Sequence, residues 1–154
     1  MSKKCYPLRF YALAIDSRIH QGDKRLPKSI AINNNIWQQV AELQVVNYSK
    51  RLDSALKIFK WNLSSSENKN NNFKKPQLIK VNKILPHLGK TAIIYKEQDW
   101  FLEVSSMIFS IKGDKAVMVL RTSSKNEILD MCVYFFDYKN GNWVLAEEIS
   151  PFLF

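Results

Sequence analysis

Histidine is scarce in this chain, and its scarcity excludes more than any motif suggests. Only His20 and His87 occur among 154 residues, and neither has a cysteine or carboxylate at the spacing a metal site needs. A histidine at the end of a helix is favoured by the helix dipole, which gives His20 a structural role without chemistry. Glycine is equally thin. Gly22, Gly89, Gly113 and Gly141 all fall at turns, too scattered for a loop that cradles phosphate through its amides. The two cysteines, Cys5 and Cys132, lie far apart; Cys132 sits inside an expected strand and reads as a small buried apolar residue, and the pair defines neither a metal site nor a redox compartment. No apolar run reaches the ~18 residues needed to span a bilayer. Met1-Ser2-Lys3-Lys4 opens like the charged start of a leader, but Pro7, Arg9, Asp16 and Arg18 interrupt the stretch from Cys5 to Ile19 that would have to be continuously apolar. The sequence as it stands leads us to expect a cytoplasmic protein, or a periplasmic one if a leader has been removed.

Carboxylates do not pair either. Glu147 and Glu148 are neighbours on an expected strand, so they point to opposite faces and cannot converge as acid and base. Asp16, Asp99 and Glu103 stand alone, and the serines at 64–66, 105–106 and 123–124 have no nucleophile-elbow context. The expectation is therefore a protein that is not an enzyme, with no catalytic, cofactor-binding or metal-ligating residue to assign.

What the chain has in excess is positive charge, unevenly placed. Residues 1–90 hold 17 Lys and Arg against 5 Asp and Glu, and residues 91–154 hold 6 against 9, which gives +12 and −3 and sums to +9. Such a field favours an acidic partner, whether an acidic protein face, nucleic acid or anionic lipid, while also serving solubility. At this length roughly 70% of the unfolded chain's surface can be buried, so one domain over 1–154 with its own core is expected.

Along the chain, Leu8, Tyr11, Ala12, Ile15 and Ile19 mark one face of a helix over 7–20, and Ser29 to Ile32 reads as a short strand pairing with later ones. Asn33-Asn34-Asn35 ends it and offers an N-cap. Helical periodicity resumes at Ile36 and allows either two helices with a break near Asn47, the second over 49–61 and the preferred arrangement, or one bent helix. Residues 64–75 form a polar, Asn-rich tract expected to be a mobile surface loop. Beside it stand Phe73, Lys74, Lys75, Lys80 and Lys83, the densest basic patch in the sequence and the candidate partner-binding residues.

From 100 to 149 a four-strand meander is expected. Residues 106–111 alternate with Met107, Phe109 and Ile111 on one side, a Gly turn at 112–115 comes next, and 116–121 alternates again. Residues 128–137 and 143–149 make a second hairpin around Asn140-Gly141, with Trp143, Leu145 and Ile149 on one face. Tyr134, Phe135 and Phe136 are consecutive, which suggests a central strand covered on both sides. Phe152, Leu153 and Phe154 end the chain as an apolar segment expected to tuck into the core.

The run from Trp100-Phe101 through Phe109-Ser110-Ile111-Lys112-Gly113-Asp114-Lys115-Ala116, closing with Lys139-Asn140-Gly141-Asn142-Trp143, resembles a pattern in a group of small bacterial proteins of uncharacterised function. Leu26-Pro27-Lys28-Ser29-Ile30 also fits that group. Where the group often has a Gly- and Cys-containing loop, this chain has Ser123-Ser124-Lys125-Asn126, so no site on that loop is carried over. The resemblance implies a fold and brings no activity. The order of helices then sheet is also analogous to cystatin-like and nuclear-transport-factor-like folds.

The expected architecture is α+β, with N-terminal helices packed on one face of a curved antiparallel sheet. The expected function is a non-enzymatic bacterial protein-binding module, an immunity-type inhibitor neutralising a cognate toxin with an acidic face, needing no cofactor. The rival is an anion-binding module contacting nucleic acid or anionic lipid through the basic patch, and a third reading is a small enzyme with a pocket in a curved sheet.

Overall fold

A computed structural model describes residues 6–22, 25–43, 49–64, 77–84, 93–95 and 100–152. The elements run α1 (Tyr6–His20), β1 (Arg25–Pro27), β2 (Ser29–Ile32), α2 (Ile36–Glu42), α3 (Lys50–Ser64), β3 (Gln77–Lys80), the single turn α4 (Val81–Ile84) and β4 (Ile93–Tyr95). Five strands complete it: β5 (Trp100–Val104), β6 (Ile108–Phe109), β7 (Lys115–Ser124), β8 (Ile128–Lys139) and β9 (Asn142–Ile149). The main sheet has the order β3-β2-β5-β7-β8-β9, with β6 also beside β7, and every pairing is antiparallel except β2 with β5. The fold class is the α+β arrangement expected from the sequence, with the meander at the C-terminal end. A separate ribbon pairs β1 with β4 in parallel.

Turn chemistry explains the hairpins. Between β8 and β9, Asn140 and Gly141 both have positive φ, 51° and 81°, and a two-residue turn of that kind matches the twist of its strands. Between β6 and β7, Gly113 (φ 75°) donates its N–H to the Ser110 carbonyl at 2.9 Å and Ser110 donates to Lys115 at 2.9 Å. The strand expected over 106–111 is shorter than its alternation suggests. Regular pairing stops at Phe109, and Ile111 stands in the turn, 98% exposed.

β5 and β6 are one strand in two pieces. Val104 lies opposite Leu120 and Ile108 opposite Val117, so Ser105, Ser106 and Met107 span a gap that β7 crosses with only Met118 and Val119. The buried Ser105 N–H donates to the Val119 carbonyl at 2.9 Å, and its hydroxyl oxygen accepts the Val119 N–H at 2.8 Å in place of a backbone carbonyl. Two helices claim the carbonyls released at the break. Tyr11 of α1 donates its hydroxyl to Ser105 at 3.2 Å, and Trp37 of α2 donates its indole N–H to Ser106 at 2.8 Å.

Those helices lie on opposite faces of the sheet, which corrects the expectation that all helices share one. Phe10, Tyr11, Ala14 and Ile15 of α1 pack with Ala116, Met118, Leu120, Tyr134 and Phe136. Trp37, Val40, Leu52 and Ala55 of α2 and α3 pack with Val117, Val119, Met131, Val133 and Phe135. The residues alternate along β7 and β8, so the two cores are back to back. The physical reason is that both strands carry unbroken apolar runs, and each face of such a strand needs cover. The consecutive aromatics Tyr134, Phe135 and Phe136 are all buried, as expected of a strand covered on both sides.

A second correction concerns β9. Phe136 pairs with Leu145 but Phe135 pairs with Glu147, so Ala146 is an extra residue in a bulge. One extra residue flips everything beyond it. Trp143 and Leu145 join the core of α1, whereas Ile149 packs with the core of α2 and α3. Phe152 is buried in that second core, and Leu153 and Phe154 lie outside the described residues. Of the two arrangements the sequence allows, the two-helix one is observed, with α2 ending at Glu42 and α3 beginning at Lys50, while 44–48, which include Asn47, lie outside the described residues. Asn35 holds the N-cap position of α2 without a side-chain cap, and Asn33 instead accepts the Asn35 N–H at 2.9 Å.

Two outcomes are expected. Ser105→Ala strands the buried Val119 N–H and should cost about 1–3 kcal/mol, whereas Ser106→Ala, at a position that uses only its carbonyl, should stay within about 0.5 kcal/mol; guanidinium unfolding measures both. Burial pushes the Tyr11 hydroxyl from 10 up to about 12 and the Cys132 thiol from 9 up to about 12, and burial also raises Tyr134. These groups ionise first in the unfolded chain, so their contribution is whole below pH 9 and is lost as pH rises toward 12. Unfolding midpoints at pH 8, 10 and 11 should fall in that order, and Tyr11→Phe should lower the pH 8 value while making the alkaline decline shallower.

Candidate functional site

The hairpin turns at 110–114 and 140–141 lie at the same end of the sheet, since Lys115 pairs with Asp137 and the Tyr138 N–H donates to the Asp114 carbonyl at 2.9 Å. On the α1 face of this end, Phe10 is enclosed by aromatics. Its ring centroid is 4.9 Å from Phe136, 5.1 Å from Trp143 and 5.8 Å from Phe109, and Tyr138 stacks edge-on at 5.3 Å from Trp143. The outer rings pack edge-on against the buried ones. On this face Phe109 and Tyr138 stay 39% and 49% exposed, and at the same end of the sheet Ile111 and Lys112 stand exposed in the first turn and Lys139 beside the second, while Lys115, opposite Asp137, belongs to the other face.

On the other face of the same end, the first turns of α3 and the sheet enclose a cleft of about 200 Å³. Ile58, Ile108, Val117 and Phe135 form its apolar lining, and the exposed Lys50, Ser54 and Lys115 stand at its rim. Arg51 holds the helix in place. It donates to Asp137 at 2.6 Å, and its guanidinium lies 5.1 Å from the Phe135 ring centroid. Its charge is therefore neutralised, while Lys50 and Lys115 make no ion pair among the described residues. The rim carries net positive charge above an apolar floor. A cavity of about 150 Å³ holds one benzene-sized ring, and sites for larger ligands run to about 300–1,000 Å³, so this cleft suits a single bulky side chain better than a cofactor.

A polar cluster on the same face does different work. Arg121 donates to Glu103 Oε1 at 2.7 Å through Nη2 and at 3.2 Å through Nε, and Nη1 donates to Gln39. Asn33 donates to Glu103 Oε2 at 2.9 Å and Ser123 to Oε1 at 3.3 Å. Each charge meets its opposite, and the cluster ties α2 to β5 and β7. The ion pair is nearly buried, with side chains 14% and 13% exposed, which makes it a strut rather than a reactive centre. Glu148 is similarly engaged on the opposite face, accepting from Ser17 at 2.9 Å and from Gln21 of the α1 C-terminal end. Cys132 is partly buried against the α1 core.

Of the residues expected to bind a partner, Lys80 ends β3 and Lys83 lies in α4, both exposed. Phe73, Lys74 and Lys75 lie outside the described residues, as does the tract at 65–75. β3 and β9 terminate opposite edges of the sheet, so the Lys80 region and the hairpin end are separate surfaces. Sequence reasoning missed the hairpin end. The one local signal was Ile111, an isoleucine beside Lys112-Gly113 in a turn where apolar residues gain nothing from folding. Among the described residues no three metal-ligating side chains converge, and no helix is long and apolar enough to cross a membrane.

Substitutions should separate the strut from the rim. Glu103→Ala leaves the Arg121 guanidinium unpaired and should cost about 3–5 kcal/mol, whereas Ile111→Asp and Lys112→Glu should each leave stability within about 0.5 kcal/mol, as read from guanidinium unfolding midpoints. Comparison with family models, with curated proteins and with solved structures finds no match for the chain, so its function is read from the chemistry of this surface.

Proposed function

We propose that the chain is a non-catalytic bacterial protein-binding module that engages an acidic partner and, within that class, an immunity-type inhibitor holding a cognate toxin. The observation that carries this reading is the hairpin end, where Ile111, 98% exposed, and the part-exposed Phe109 and Tyr138 share one end of the sheet with the exposed Lys112, Lys115 and Lys139. Folding gains nothing from an isoleucine held in water at the tip of a turn. Aromatic and aliphatic anchors ringed by charge are the features that dominate protein interfaces, with the apolar groups supplying affinity and the charges speeding encounter. The lysines repel a basic surface, so a toxin held here presents an acidic face to the inhibitor.

The test is affinity capture from native lysate of the source cells, with and without nuclease, at low and moderate salt. One stoichiometric protein should survive nuclease and moderate salt and should be lost with Ile111→Asp or Lys112→Glu. Recovery of nucleic acid, or of many proteins that elute as salt rises, overturns the reading and favours an anion-binding module acting through Lys80 and Lys83.

A further inference from the structure

We infer that the cleft between α3 and the sheet is an anchor pocket for one aromatic side chain carried beside a carboxylate on the acidic partner. The inference rests on the binding-module reading and names what the partner inserts. Three features of the cleft select that occupant. Its size, about 200 Å³, admits a single ring with its linking carbon and little else. Its lining is apolar, formed by Ile108, Val117 and Phe135 of the sheet and Ile58 of α3, so a polar group finds few partners at the bottom. Its rim holds Lys50 of α3 and Lys115 of β7, the Arg51 charge is neutralised by Asp137, and the other carboxylate bonded to the lining, Asp114, accepts from Ser110 at 2.9 Å, which leaves the rim net positive. A carboxylate next to the ring therefore meets uncompensated positive charge at the moment the ring is buried, whereas a cationic side chain is repelled.

The pocket stays open because of the residues α3 places over it. Ser54 and Ala55 are the smallest residues in the first two turns of the helix, and a larger side chain at either position would fill the space. The walls are fixed in advance. Arg51 bridges α3 to β8 through Asp137, and Leu52 and Ala55 are buried in the core beneath, so binding carries little entropic cost for ordering the site.

The probe is phenylacetate, titrated into the full-length protein and followed by amide chemical shifts, with acetate and benzyl alcohol as its two halves. Phenylacetate should give saturable shifts at Ser54, Ala55, Val117 and Phe135, with an apparent Kd at least about tenfold below that of either half. Lys50→Gln with Lys115→Gln should bring phenylacetate to the level of benzyl alcohol while leaving benzyl alcohol unchanged, and Ser54→Trp should abolish both. All three positions are exposed, so the variants keep the fold, which their amide spectra verify. Shifts that do not saturate, that centre elsewhere, or that persist in Ser54→Trp overturn the inference. The titration needs no partner, so its failure removes the pocket and leaves the hairpin-end reading to the capture experiment. A partner released by Ile111→Asp but indifferent to Ser54→Trp likewise keeps the module and discards the pocket.

Discussion

The fold depends on the hydrogen bonds made where one strand is broken. At Ser105 the sheet gives up one ordinary backbone pairing and repairs it with a hydroxyl, and the carbonyls set loose are taken by Tyr11 from one side and Trp37 from the other. Hydrogen bonds from helices to a sheet are unusual because the sheet has normally used its own groups. Here the extra residue makes those groups available, and the two helical layers are positioned by a few atoms of one strand. α1 and α2 have no need to touch each other. Each donates to the same break, and a separate core forms on either side.

Much of this was legible in the sequence, and the parts that were not share a cause. Alternation and turn residues identify β7, β8 and β9 well, because a strand's period and a positive-φ turn are local properties. The three aromatics at 134–136 also announce a strand covered twice. What the sequence hides is any change of phase. Ser106 reads as the first residue of an alternating strand, and Ala146 is indistinguishable from a paired residue, yet the sheet takes up one extra position at each place and the next side chains change face. Phe10 escapes for a different reason. It lies beside the expected helical stripe of Leu8, Tyr11 and Ile15, and only the tertiary fit of Phe136 and Trp143 draws it to complete burial.

The binding surface was less legible still, because it joins parts of the chain that the sequence keeps apart. Division of the charge into a basic first half and a mildly acidic second half suggests that the sheet end is the poor place to seek an acidic partner. Folding brings Lys50 and Arg51 of the first half onto the hairpins of the second, and Asp137, one of the acids that makes the second half negative, is paired with Arg51. Local fields follow neighbours in space, and net charge per half of a sequence is a weak guide to them. The cleft has no sequence signature at all. Its lining comes from α3, β6, β7 and β8, and the spacing of those residues is set by the topology alone.

The bulge at Ala146 has a consequence for concentration and crowding. Among the described residues β9 ends the sheet order, and a terminal strand offers its outer row of amides and carbonyls to any other extended chain. A straight edge would let a second molecule zip along it, and a third along that. With an extra residue midway, the outer groups fall out of step before a second strand can gain more than a few bonds, and the neighbouring Glu147 and Glu148 bring like charge to any self-pairing. The same irregularity that seats Ile149 in the second core therefore makes the β9 edge a poor template for a further strand.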